Sequence, residues 1–269
     1  MDAACAGGKT VPGVFASAIA LSVPDACRDE AIRCAVSDSA LTVIIPAYNE
    51  ADRIAATVAA SLRLPGVREV VVVDDGSTDA TGAVATAAGG RVVRLPQNSG
   101  KARAMEAGAD AAASPLYLFL DADLGETAGK AAVLIGPVGS GDADMTIAVF
   151  PTIPGRGGGM GLVVRLSRWG VRKLTGRTLS APLSGQRCLR AEVLAASRPL
   201  ARGFGVETAL NIDSLQAGFK IREVETGMDH RVTGNDFRAR LHRARQLRDV
   251  ALALIPRLLG LRRASRKTP

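Results

Sequence analysis

The chain has 269 residues, of which 47% are hydrophobic and 22% charged, and its formal net charge at pH 7 is +8. This composition supplies enough apolar material for a packed core and excludes a wholly disordered chain. Acidic residues outnumber basic ones in residues 1–151, whereas basic residues predominate from 152 onward, which indicates an anionic partner for the second half.

The cysteines and the N-terminal segment indicate a reducing compartment. Cys5, Cys27, Cys34 and Cys188 form no CxxC pair and show no zinc-ligand spacing, and the chain has only two histidines. This excludes a Cys/His metal cluster and fits free thiols. No apolar run reaches the ~20 residues that cross a bilayer. We therefore expect a cytoplasmic protein in which residues 1–40 form a poorly ordered extension, with a signal peptide as the alternative interpretation.

Strands and helices alternate through the first half of the chain. Runs of β-branched and other apolar residues predict buried strands at 41–45, 70–73, 91–95, 116–120 and 145–149. Helices are predicted between them, the first capped by Asn49 and the second by Ser77 or Thr78. This alternation predicts an α/β fold with a mostly parallel, doubly wound, Rossmann-like sheet.

The second half is expected to continue the same domain over residues 151–235. A Gly-rich loop, Gly155–Gly161, precedes a predicted basic helix at 162–174. Segments 184–187 and 203–207 are predicted as loops around a short helix, and a last strand is expected near 221–224.

A basic amphipathic helix is predicted from Asp236, and with its tail it occupies residues 236–269. Apolar residues recur there every three or four positions, and arginines fill much of the remaining surface. Such a helix can lie on an anionic membrane surface, here the inner face, or it can pack on the catalytic domain with its arginines in solvent.

Two acidic clusters follow predicted strands, and they give the first functional signal. Asp74-Asp75 ends one strand, and Asp121-x-Asp123 ends another. Ligands of parallel α/β sheets bind beyond the carboxyl ends of the strands. Two carboxylates at i and i+2 can converge on Mg²⁺ or Mn²⁺, hard ions that prefer oxygen ligands and keep substrate phosphates in their shell. A solvated loop pair is the non-functional alternative.

Four segments in order carry a family resemblance: Val43–Glu50, Val72–Asp79, Asn98–Ala102 and Asp121–Asp123. Together they resemble the family-2 glycosyltransferases over residues 41 to about 125. The resemblance implies a GT-A-type fold in which 41–150 form the nucleotide-sugar-binding subdomain and 151–235 the acceptor-binding part.

The later segments are similar to two kinds of enzyme within this group. Ser184–Arg187 and Gly203–Glu207, with His230 downstream, resemble polyprenyl-phosphate sugar synthases and glucosyl-3-phosphoglycerate synthases. These imply an anionic acceptor, either a polyprenyl phosphate or a small phosphorylated acid.

The resemblance implies a donor site. Tyr48 would contact the face of the nucleobase, and Lys101 would approach the diphosphate as a point charge. Glu50 and Asp75 would accept hydrogen bonds from the ribose or base, although Glu50 could equally be a helix N-terminal carboxylate and Lys101 a surface lysine. The residues implied for nucleotide binding are Pro46, Ala47, Tyr48, Glu50, Asp75, Lys101, Asp121 and Ala122.

The resemblance also implies a metal site and an acceptor site. Asp123 would bind the metal and is assigned to catalysis, and His230 would complete the metal shell or serve as a hydrogen-bonded strand-end histidine. Glu207 would act as general base, orient the acceptor or cap a helix. The acceptor would be bound by Ser184, Gly185, Gln186 and Arg187, with Arg187 as a bidentate fork.

These implications predict a metal-dependent glycosyltransferase that uses a UDP- or GDP-sugar. Inversion is the family default, whereas the glucosyl-3-phosphoglycerate synthases retain configuration. A sugar-1-phosphate nucleotidyltransferase is the alternative, but the loop at 46–50 lacks the glycine and basic residues expected of one. Nucleic acid is not expected as a partner, because no aromatic residues interleave with the arginines. A dimer is plausible.

Overall fold

A single seven-stranded sheet organises the protein. The computed structural model describes residues 41–150, 161–228 and 237–262, with the backbone alone for 237–243. The strands are β1 (Leu41–Ala47), β2 (Val67–Asp74), β3 (Arg91–Arg94), β4 (Leu116–Phe119), β5 (Met145–Val149), β6 (Arg187–Arg190) and β7 (Ile221–Glu225). Their order across the sheet is β3-β2-β1-β4-β6-β5-β7.

The sheet is mostly parallel, which confirms the predicted α/β class. β1 pairs in parallel with β2 and β4, β2 with β3, and β5 with β7. β6 is the exception, because it runs antiparallel to both of its neighbours, β4 and β5. This strand was missed from sequence, since the segment that leads into it was predicted only as a loop.

Helices cover both faces of the sheet. They are α1 (Ala51–Leu62), α2 (Thr81–Ala87), α3 (Lys101–Ala111), α4 (Ala132–Gly139), α5 (Gly161–Thr175), α6 (Ala191–Ser197), α7 (Val206–Gln216) and α8 (Phe237–Leu258), with short 3₁₀ segments at Gly125–Ala131 and Gly203–Gly205. Side chains of α1, α2 and α4 pack into one buried cluster, and those of α3 and α5 to α8 into the other. β1 alternates between the two, with Val43 and Ile45 on one face and Ile44 on the other.

The predicted helix caps are wrong, because the residues concerned join two loops instead. The side chain of the N-cap residue of α1, Glu50, makes no capping hydrogen bond, and the Ala51 amide donates to Asp79 Oδ2 at 3.3 Å instead. Helix α2 begins only at Thr81. Asn49, with φ 56°, accepts a hydrogen bond at Oδ1 from the Thr78 amide at 2.9 Å, and its own amide donates to Ser77 Oγ at 3.0 Å. The loops after β1 and β2 are therefore tied together at the sheet edge.

Several predictions fall outside the described residues: the extension 1–40, most of the Gly155–Gly161 loop, His230, and the tail beyond 262. The basic helix at 162–174 and the C-terminal helix are confirmed as α5 and α8. None of the helices in the described ranges is long and apolar enough to cross a membrane.

Candidate active site

The candidate site lies where β1, β2 and β4 end. Ala47 is buried as the last residue of β1, and Pro46 before it is half-buried. Tyr48 follows with 45% of its surface exposed, so its ring is free to stack on a base. The Asp75 amide donates to the Ala47 carbonyl at 2.9 Å, which holds the ends of β1 and β2 together.

Glu50 immediately precedes α1. Its amide donates to Thr81 Oγ1 at 2.8 Å, so the loop after β1 is also fixed to the start of α2. A carboxylate at this position is stabilised by the helix macrodipole, as the alternative interpretation expected. The helix position and a contact with the nucleotide are compatible.

Asp75 accepts structural hydrogen bonds that the sequence did not predict. It is almost fully buried, and its two carboxylate oxygens accept hydrogen bonds from the amides of Ser99 (2.7 Å) and Gly100 (2.8 Å). Each carboxylate oxygen can accept a second bond, so a contact with a nucleotide stays a prediction. What the structure shows is that Asp75 orders the loop that leads directly into α3 and Lys101.

Lys101 lies between two carboxylates. Its Nζ is 2.6 Å from Asp121 Oδ1 and 3.1 Å from Glu207 Oε1. Burial alone would lower the pKa of Lys101, but the two carboxylates outweigh it and raise the pKa above its ordinary value. Lys101 therefore stays positively charged and is no ordinary surface lysine.

Segment 184–186 closes over this ion group. Gln186 is buried, and its Nε2 donates to Asp121 Oδ2 at 2.6 Å. A Cβ at Gly185 would lie 2.5 Å from Lys101 Nζ and 2.8 Å from Asp121 Oδ2, so any larger residue there would displace the ion group. Ser184 Oγ donates to Gln186 Oε1 at 3.3 Å. Gln186, predicted to bind the acceptor, here orients Asp121.

Arg187 requires a correction. It was predicted as an accessible fork for the acceptor, but it is fully buried at the start of β6. Its Nη1 donates to Asn211 Oδ1 at 3.1 Å, and its Nη2 donates to the Ser184 carbonyl. Burial lowers the pKa of Arg187 to about 10, opposed by the nearby carboxylates of Glu207 and Asp121. Through these two hydrogen bonds Arg187 links segment 184–186 to α7.

Asp123 differs from Asp121 in having no partner for its carboxylate within the described part of the chain. The turn that carries it is held through its backbone by α1. Arg53 Nη1 donates to the Asp123 carbonyl at 3.1 Å, and Thr57 Oγ1 donates to the Ala122 carbonyl at 2.8 Å. The result is one half-exposed, unpaired carboxylate on a fixed backbone.

This carboxylate suits a divalent ion that shares its shell with substrate phosphates. Across residues 41–150, 161–228 and 237–262, no group of three His, Cys, Asp or Glu side chains could hold a metal ion alone. The residues fit an ion held by Asp123 together with a diphosphate. The predicted second ligand, His230, lies outside the described residues.

Glu207 lies in the first turn of α7, not in the loop that sequence predicted. Only 8% of its surface is exposed, and it ends a tight turn that α8 approaches closely. A Cβ at Gly205 would be 2.5 Å from the Asp249 carbonyl, and Gly203, with φ +63°, would place one 2.1 Å from Asp249 Oδ2. The Gly-Phe-Gly sequence is therefore a packing requirement that fixes Glu207 beside Lys101.

Comparisons with known proteins identify the family of the chain. The sequence model of glycosyl transferase family 2 matches residues 42–187. Glycosyltransferase AglJ of Haloferax volcanii is 33% identical over 73% of this chain and 65% of its own length. Glucosyl-3-phosphoglycerate synthase of Mycolicibacterium paratuberculosis is 32% identical over 68% and 62%. The chain thus spans a little under two thirds of these relatives.

Among solved structures, the fold is similar to glucosyl-3-phosphoglycerate synthase of Mycobacterium tuberculosis. Its complex with Mg²⁺ and UDP matches with a TM-score of 0.69 and 27% identity, over 84% of this chain and 82% of that one. Its complex with Mn²⁺, UDP-glucose and phosphoglyceric acid matches with a TM-score of 0.68 and 30% identity over the same shares.

Proposed function

Since this chain belongs to glycosyl transferase family 2 and has the GT-A-type α/β fold, we propose that it transfers a sugar from a nucleoside-diphosphate sugar to a phosphate-bearing acceptor, with Mg²⁺ or Mn²⁺ as cofactor. The observation that carries the proposal is the unpaired Asp123 carboxylate two residues from the Lys101–Asp121–Glu207 ion group. The Asp123 carboxylate is therefore available to a metal ion, and the Lys101 ammonium group is positioned for a diphosphate.

The donor is bound along the edge formed by β1, β2 and β4. Tyr48 stacks on the base, while Glu50 and Asp75 lie beside the ribose. Asp121 and Ala122 line the diphosphate, and Lys101 turns its charge toward it. A bound metal neutralises charge that develops on the leaving nucleoside diphosphate. Asp123 holds that metal, with His230 as the proposed second protein ligand.

Glu207 faces the acceptor side. Its Oε1 lies 3.1 Å from Lys101 Nζ. From this position its carboxylate can accept a proton from an acceptor hydroxyl or orient that hydroxyl. A phosphate nucleophile is already ionised and needs little help from a base. Ser184 and Gly185 bound the same space, and residues 151–235 form the acceptor part.

The relatives favour a small acid as the acceptor. The solved synthase binds UDP-glucose and phosphoglyceric acid, and both ligands suit a site with a metal carboxylate and a basic second half. A polyprenyl phosphate presents the same phosphate chemistry on a membrane. In that case residues 236–269 would contact the anionic surface. A dimer remains part of the proposal.

The test is donor turnover that depends on an acceptor. Purified protein with Mn²⁺ is given UDP-glucose or a GDP-sugar, and release of the nucleoside diphosphate is measured with and without 3-phosphoglycerate or a short polyprenyl phosphate. We expect one pair to release nucleotide well above the rate without acceptor. Release of pyrophosphate from a nucleoside triphosphate and a sugar 1-phosphate would instead identify a nucleotidyltransferase.

A further inference from the structure

Two adjacent helices of the basic half expose large apolar side chains. On α5, Trp169 is 51% exposed and Leu162 is 63% exposed. The exposed apolar side chains also include Leu252 and Ile255 of α8 and Leu259 in the turn directly after it. A single exposed apolar residue is ordinary, but a row of them on packed neighbouring helices marks an interaction surface.

The spacing on α5 puts apolar and basic residues on one face. Leu162, Arg165, Trp169 and Arg172 follow one another at intervals of three and four, so they lie above one another on the outer side of the helix. The opposite side is buried and consists of Val163, Ser167, Gly170 and Val171. The outer side of α5 therefore carries a tryptophan and a leucine flanked by arginines.

The charge of this region has one sign. Between Asp144 and Glu192 the sequence contains no acidic residue. Arg165, Arg172 and Lys173 are exposed and have no hydrogen-bond or carboxylate partner within the described ranges. Unpaired guanidinium and ammonium groups around an exposed tryptophan complement an anionic occupant that also offers apolar material.

Helix α8 extends the same kind of surface. A Cβ at Gly170 would lie 2.3 Å from Leu254 Cδ2, so α5 and α8 are in close contact. Leu252, Ile255 and Leu259 are spaced by three and four and point away from buried Val250. We define the lipid face as Leu162, Arg165, Trp169, Arg172 and Lys173 of α5 together with Leu252 and Ile255 of α8 and Leu259 in the turn after it.

We infer that the lipid face binds peripherally to an anionic bilayer. Trp169 and the leucines enter the boundary between headgroups and acyl chains, and the arginines contact lipid phosphates. A second copy of the chain is disfavoured, because a two-fold axis would set like charges opposite each other. The inference is independent of the transfer reaction and extends to α5 the contact proposed for residues 236–269.

Trp169 makes the inference directly measurable, because it is the only tryptophan of the chain. The full-length protein is titrated with phosphatidylcholine vesicles and with vesicles that also contain phosphatidylglycerol, at low and high salt. We expect a shift of Trp169 emission to shorter wavelength, and co-sedimentation, only with the anionic vesicles and mainly at low salt.

Paired variants separate this surface from general basicity. Arg165→Gln with Arg172→Gln should weaken the partition into anionic vesicles about thirtyfold. The control, Arg63→Gln with Arg68→Gln, removes the same charge from exposed positions near β2 and should bind like wild type.

Three results would overturn the inference: no binding of wild type at low salt, equal binding of both double variants, or an emission shift without vesicles that follows dimer formation in sedimentation velocity. None of these depends on a nucleotide sugar, so the outcome leaves the transfer assay unaffected.

Discussion

Single side chains in the site divide into those that are already paired and one that is not. Lys101, Asp121, Glu207 and Gln186 satisfy one another, whereas the Asp123 carboxylate has no described partner. Paired groups contribute to folding as well as to function, because removing one leaves another buried and unsatisfied. The unpaired carboxylate is free of that constraint, so its replacement should separate activity from stability.

Asp123→Asn should therefore abolish nearly all sugar transfer while the melting temperature stays within about a degree or two of wild type. The change removes the charge proposed to bind the metal but keeps the shape of a side chain with no described contact. Activity and thermal unfolding are measured side by side, with Asp142→Asn at an exposed position as the control. A large drop in melting temperature for Asp123→Asn would contradict the assignment.

Cys188 gives a prediction about pH. Burial raises the pKa of its thiol to about 12, so in the native protein it stays protonated and unreactive. The unfolded chain ionises this thiol at lower pH than the native one, so Cys188 makes stability fall as pH rises above about 9. Alkylation at pH 8.5 followed by peptide mass mapping should leave Cys188 unmodified until denaturant is added. Labelling in native buffer at the rate of a free thiol would contradict this.

At the scale of elements, the site depends on how tightly α7 is held. Its N-terminus follows the Gly203–Gly205 turn, which lies against Asp249 of α8, and its second half carries Asp213. Asp213 is buried and pairs with Arg257 of α8, while Arg262 Nη2 is 3.9 Å from the same carboxylate. The helix that presents Glu207 is thus fixed at both ends by α8.

Gly205→Ala should test the first of these attachments. The new methyl group would lie 2.5 Å from the Asp249 carbonyl and 2.6 Å from Ala253 Cβ, so backbone must move. We expect a loss of about 1–3 kcal/mol in the free energy of unfolding and a larger relative loss of transfer than of nucleotide binding. Gly129→Ala is the control, since nothing lies within 4 Å of its Cβ position. Equal behaviour of the two variants would refute the packing argument.

Arg257→Met should test the second attachment. It leaves the Asp213 carboxylate buried with only the distant Arg262, and such losses typically cost about 3–5 kcal/mol. Adding Asp213→Leu to the Arg257→Met variant removes the buried, unpaired carboxylate. This second change should restore most of the lost free energy of unfolding. Urea unfolding of the single and double variants gives the coupling free energy between Arg257 and Asp213. If the double variant is no more stable than Arg257→Met, the ion pair does not carry the attachment.

The two halves of the chain differed in how far sequence could predict them. In residues 41–125, β-branched runs that end in acidic pairs identified the strands and the sheet edge, and the resemblance to family-2 glycosyltransferases implied the GT-A-type architecture. In the second half, β6 is four residues long and begins with an arginine, so it has no strand pattern. The α7 turn contains two glycines because of α8, which is a long-range cause that a local pattern cannot show. The roles of Gln186 and Arg187 were missed for the same reason.

At the scale of the whole molecule, the metal site should be completed by the donor. The described residues offer Asp123 as the one unpaired carboxylate at this position, so a metal ion alone should bind weakly. Adding UDP should raise the affinity for Mn²⁺, and Mn²⁺ should raise the affinity for UDP by the same factor, because the coupling is reciprocal. Titration calorimetry in each order measures both. Tight binding of Mn²⁺ without nucleotide, or unequal factors, would contradict a site shared between the protein and the diphosphate.

The antiparallel direction of β6 has a consequence for how the protein is made. Asp121 leaves β4 at the edge of the sheet, and Gln186 reaches it from a strand that enters at that same edge, 65 residues later in the chain. During synthesis, the loops after β1, β2 and β4, which are proposed to bind the donor, can form well before β6 emerges and pairs with β4. A nascent chain that stops short of residue 187 would thus have the strands of the proposed nucleotide site but not its charge arrangement. Catalytic competence should appear late and abruptly, with closure of the sheet.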